Sequence, residues 1–209
     1  MGNANFRDEL ELARKALSTE QTAELLQQAM LCCVNIAEQN LSEQRCTWQN
    51  AALARELFDY AKKLALSGVE LSFVEQTVDD MIETISSHPR LTLELMLFRR
   101  EVLQQLNHLG HELDDDIALY QSNIAAADSG RLEDVKQTTM LKHDPVEWTA
   151  RWEDVIDEAD KVIEARLVDH PRGMGFCHAY WQEKAKVLSK EFNIEWRSPA
   201  RMNPRVLFD

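Results

Sequence analysis

At 209 residues, 44% hydrophobic and 28% charged, the chain is long enough to bury a sizeable core and has the make-up of an ordinary globular protein. Its net charge of −13 argues against nucleic acid or an anionic membrane as the first partner, because both are held by cationic surface. No apolar run approaches the roughly 18 residues a membrane helix needs, and the N-terminus has no apolar signal core, so a cytoplasmic protein is expected. Gly2 does not lead a myristoylation motif, which asks for Ser or Thr where Phe6 stands.

Helical periodicity recurs along the chain and alternating strand patterns are almost absent, which predicts an all-α protein, an irregular bundle of seven to eight helices. A first helix is expected from Asn5 to Leu17, with Phe6, Leu10, Ala13 and Leu17 on one face. Ser18 followed by Gln21 reads as a capping box opening a second helix to about Gln39, whose stripe Leu25, Leu26, Ala29, Cys33, Ile36 and Ala37 turns inward. Ser42 is expected to cap a third helix through Leu64, with Gly68 as its left-handed stop. Ser72 with Glu75 repeats the capping box for a fourth, ending near Ser86. Pro89 suits the first turn of a fifth, which is apolar around much of its girth from Leu91 to Leu106 and is expected to be the most buried element.

Gly110 would close that helix, and a sixth spans about Glu112 to Ala127. Residues 128–142 have weak periodicity and read as a linker with one helical turn. Asp144, Pro145 and Glu147 then predict a seventh helix to about Val168, burying Trp148, Trp152, Val155, Ile156, Ala159, Ile163 and Leu167. The domain so defined covers residues 1–192, and residues 193–209 form a mostly non-helical tail packed on the body or on a partner.

The stretch from Asp169 to Asp209 differs from everything before it. It gathers Gly, Pro, Trp, Cys and His beside seven basic and five acidic residues, so it carries +2 and leaves −15 for residues 1–168. The ridge Phe176, Tyr180, Trp181, Leu188 and Phe192 is expected to pack onto Trp148 and Trp152. The apolar end invites a partner: Trp196, Arg201, Val206, Leu207 and Phe208 are the candidate contacts.

Three clusters have the chemistry for a site. Arg172, Gly173, Gly175 and His178 place glycines and a forked donor at a helix start, where an anion is favoured. Glu153, Asp157, Asp160 and Glu164 form one stripe at i, i+4, i+7 and i+11; Glu75, Asp79 and Glu83 form another. Facing each other, these two could hold magnesium; lying away from the apolar faces, each reads more simply as a solvated face. The run from Asn107 to Asp116 carries His108, His111 and four acids, but acids in a first helical turn chiefly complement the helix dipole. Cysteines 32, 33, 46 and 177 lack metal-site spacing and read as buried thiols, and no nucleophile elbow is present.

The leading expectation is a non-enzymatic adaptor or regulatory module acting on a protein partner or as a homo-oligomer, with no cofactor. The alternative is a magnesium-dependent hydrolase or transferase acting on a phosphorylated small molecule.

Overall fold

The computed structural model describes residues 5–108 and 111–208; Gly2, Leu109 and Gly110 lie outside them. Among the described residues the regular structure is helical, without a strand, and no helix is long and apolar enough to cross a membrane.

Helix α1 (Phe6–Leu17) is capped by Asn5, whose side chain accepts from Asp8 N. Its successor α2 (Ala23–Ser42) starts at Thr22 and not at Ser18. Capping needs an extended backbone, which Thr22 has (φ −98°, ψ 158°). Ser18 is still helical and turns its hydroxyl back to Lys15 O. Ser42 likewise ends α2 instead of opening α3, its hydroxyl donating to Gln39 O.

Left-handed Gln44 and Cys46 then break the chain, and after the 3-10 turn Thr47–Gln49, helix α3 (Asn50–Leu66) begins. Gly68, at φ +69°, follows it as the predicted stop. Glu70 also takes a left-handed conformation, so α4 (Leu71–Ile82) starts one residue before Ser72 without a side-chain cap. Pro89 opens α5 (Pro89–Gln105) as expected, and α6 spans His111–Asp128.

Residues 129–149 are less free than a linker. Asn123 of α6 donates to Lys136 O and accepts from Lys136 N, and the single turn there is a 3-10 turn, Leu132–Asp134. Asp144 does cap a helical start, but of the 3-10 turn Pro145–Trp148; Thr149 restarts the chain as α7 (Ala150–Arg166). Helix α8 (Phe176–Phe192) follows Gly175, which sits at φ +80°, and Ser198 caps the short α9 (Pro199–Met202).

Three apolar clusters result. The largest joins α1 to α5, the second joins α7, α8, Ile194 and Trp196, and the third lies between α5 and α6 around Met96, Leu113 and Ile117. The most buried helix is α2 and not α5, because α2 lies among α1, α3 and α4, whereas the far side of α5 serves only the small third cluster. Both Cys32 and Cys33 are therefore buried, and burial pushes their thiols above the ordinary range.

The chain after α8 lies along α7 and the segment before it. Trp196 stacks near Trp152, its ring centroid 6.3 Å away, and donates to Glu147 Oε1 at 2.7 Å. Arg197 holds Asp144 through its backbone N–H and guanidinium, and Asn203 exchanges two hydrogen bonds with the backbone of Lys142.

Glu147 also receives His143 Nδ1 at 3.3 Å, and this bond holds the imidazole pKa above its ordinary 6.5. A raised pKa means that the protonated form stabilises the fold fully below 6.5 and that this contribution is lost as pH rises through the folded value. Denaturation midpoints measured across that interval are expected to fall slightly with pH, the ring being half-exposed, and His143→Gln is expected to remove this component. An unchanged pH slope in the variant would count against the assignment.

Candidate functional site

Helix α7 shows two faces to two different neighbours. Its apolar side chains Trp152, Val155, Ile156, Ala159 and Ile163 pack with α8 and the segment beyond it. Its acidic stripe is not a solvated face: three of the four carboxylates meet the α2–α5 body.

Glu153 accepts from Arg90 N and Leu91 N, both at 3.0 Å. These are first-turn amides of α5, whose N-cap His88 offers no side-chain bond, so a carboxylate from another helix satisfies donors that a helix cannot satisfy itself. Asp157 Oδ1 lies 3.0 Å from His88 Nε2, near enough for an ion pair but out of line for a hydrogen bond. Glu164 accepts from Cys46 N at 2.8 Å and Trp48 Nε1 at 3.1 Å, bracing the left-handed turn before α3. Trp152 Nε1 adds a bond to Ser87 O at 3.0 Å.

Asp160, the fourth member, turns to α8. It accepts from Tyr180 Oη at 2.8 Å and pairs with Lys184 Nζ at 3.1 Å. Lys184 is only 7% exposed and stands among the rings of Trp152, Tyr180 and Trp196, with its ammonium 5.2 to 5.7 Å from their centroids. Burial, and then Asp160, keep the Tyr180 phenol well above its usual pKa, so it remains a donor.

Asp160, Tyr180 and Lys184 line a cleft of about 300 Å³ between the end of α2, the turn before α5, and α7 with α8. Tyr180 and Trp181 give it an aromatic side; Thr84, Ser86 and Ser87 give it hydroxyls; Asp160 and Lys184 lie at the polar end. Volume and lining are those of a small-molecule site. The Ser87 hydroxyl also lies 3.2 Å from His88 Nδ1.

The second stripe is engaged elsewhere. Glu75 and Asp79 both hold Arg99 of α5, and burial raises the Asp79 pKa although Arg99 opposes this. With Glu83, Glu112 and Asp116 they line a groove of about 770 Å³ whose apolar residues include Met96 and Leu113. No bond joins the two stripes among the described residues, and no group of three or more His, Cys, Asp or Glu side chains there could hold a metal ion.

The glycine-rich start of α8 is partly used by the chain itself. Arg172 Nη1 donates to Gln44 O at 2.6 Å while its guanidinium covers the Phe176 ring at 4.3 Å. His178 Nε2 lies 3.0 Å from Phe208 O, and Phe208 packs edge-on against Trp181. Gly173 and Gly175 leave open space at their α-carbons. Of the ridge, Tyr180 and Trp181 serve the cleft; Trp148 pairs instead with Tyr120 of α6.

Among the candidate partner residues, Trp196 is spent in its own core. Arg201 and Val206 are exposed, Leu207 is 95% exposed, and Phe208 is half-covered by Trp181. Sequence reading placed Tyr180 only in the core ridge and gave Lys184 and His88 no part in a site. The pairing of Asp160 with Lys184 spans 24 positions and two helices, and no local spacing signals it.

No protein-family model, curated protein or solved structure matches the chain.

Proposed function

We propose that this protein is a non-enzymatic helical module that works through protein–protein contact, and that its contact element is the cationic, apolar end of the chain. The observation that carries the reading is Leu207, 95% exposed beside Val206 and between an anchored Phe208 and the exposed Arg201 and Arg205. A large apolar side chain held out by its anchored neighbours is suited to burial against another surface.

The occupant we favour is a second copy of the chain. Its groove between α4, α5 and α6 offers five carboxylates against Arg99, with apolar residues between them. A +2 end meeting a −15 body supplies the electrostatic complementarity that steers such a contact. Light scattering at low salt is expected to give a dimer mass that falls towards the monomer as salt rises. The double variant Arg205→Glu/Leu207→Glu is expected to be monomeric at low salt. A wild-type chain that stays monomeric at every salt and protein concentration would sink the second-copy reading.

The alternative, a magnesium-dependent enzyme acting on a phosphorylated compound, draws less support from the geometry. It needs the two acidic stripes to face each other, and their carboxylates hold Arg99 on one side and the α5 start, Trp48 and Lys184 on the other.

A further inference from the structure

The cleft has a readable chemistry independent of the chain end. Its lining includes the buried pair Lys184 and Asp160, which neutralise each other at 3.1 Å. A free carboxylate or phosphate entering there would meet Asp160, and an amine would meet Lys184. An uncharged ligand escapes both penalties.

The pair is nevertheless not saturated. An ammonium has three N–H donors, and among the described residues Lys184 hydrogen-bonds only to Asp160, its other neighbours being the rings of Trp152, Tyr180 and Trp196. An ionised carboxylate has about four acceptor positions, and Asp160 uses them for Tyr180 and Lys184 alone. The end of the cleft thus presents a donor and an acceptor side by side. Tyr180 and Trp181, which also line the cleft, offer flat rings against which a planar group can stack.

We infer that the cleft binds an uncharged planar ring bearing a hydrogen-bond acceptor and donor next to each other, as in a primary carboxamide, a lactam or a nucleobase edge. The acceptor faces Lys184 Nζ, the donor faces Asp160, and the ring lies along Tyr180 and Trp181. About 300 Å³ holds one such ring system with a small substituent.

Benzamide and nicotinamide are the probes, with benzoate and nicotinate as their anionic counterparts, and the readout is tryptophan fluorescence of the full chain. The amides are expected to give saturable quenching in the roughly millimolar range usual for fragments, with the acids at least about tenfold weaker. Trp181→Ala is expected to abolish the response. The paired apolar exchange Asp160→Leu/Lys184→Met leaves no buried charge behind; it is expected to keep the fold and to erase the preference for amide over acid. The inference is overturned if the amides give no saturable response, if the acids bind as well as the amides, or if the apolar pair retains the amide preference. An unfolded apolar pair, detected by circular dichroism, passes the test of the preference to Lys184→Arg, which keeps the charge, repositions the donors and must weaken amide binding.

Discussion

Asp160→Ala is expected to cost about 3–5 kcal/mol, the range for removing one partner of a buried ion pair and leaving the other charge without compensation. Lys184 would be the stranded group, 7% exposed among three aromatic rings. Tyr180, whose hydroxyl donates to the same carboxylate, would lose its acceptor as well. Against a total stability of about 5–15 kcal/mol, the loss is large enough to leave a substantial fraction of the chain unfolded in mild urea. The exchange Asp160→Leu/Lys184→Met is expected to recover most of it, since apolar replacement of a whole buried pair is often neutral or stabilising. Urea denaturation of the three proteins decides the matter. A single variant that loses less than about 1 kcal/mol would mean that the pair is solvated and that the cleft lacks the desolvated polar end ascribed to it.

Trp152→Ala is the second large effect, expected at about 3–5 kcal/mol for emptying a core position of that size. The side chain is 1% exposed and packs in the α7–α8 cluster near Trp196, while its Nε1 donates to Ser87 O across the seam. The two roles separate by substitution. Trp152→Phe keeps most of the packing and loses the bond to the part-buried Ser87 carbonyl, and is expected to cost about 1–3 kcal/mol. Equal losses in the two variants would show that the seam bond, not the packing, dominates at this position.

Local chemistry identified some elements correctly. Pro89 opens α5 and Gly68 takes the left-handed stop after α3. These are decisions a residue makes with its immediate neighbours. Capping from Ser18, Ser42 and Ser72 was not legible in the same way, because a serine fits a cap only where the backbone is extended, and positive φ angles at Gln44, Cys46 and Glu70 redirect the chain there. Cys46 is held in that state partly by Glu164, 118 positions away.

The α7 stripe gives the sharper lesson for the candidate site. Its residues and their spacing are plain in the sequence, and four acids opposite an apolar face ordinarily mean water. Here a second body covers that face, and the acids become acceptors for the first amides of α5, for Trp48 and for Lys184.

By itself, then, the sequence determined the helical class, because periodicity and apolar faces are properties of single segments. It also determined the charge contrast between body and chain end, which is simple composition. Only the tertiary structure decided which acids are buried, where the cleft opens and which aromatic residues line it. Each of those depends on which helix faces are brought together, and burial turns an exposed carboxylate into a group that must find a donor.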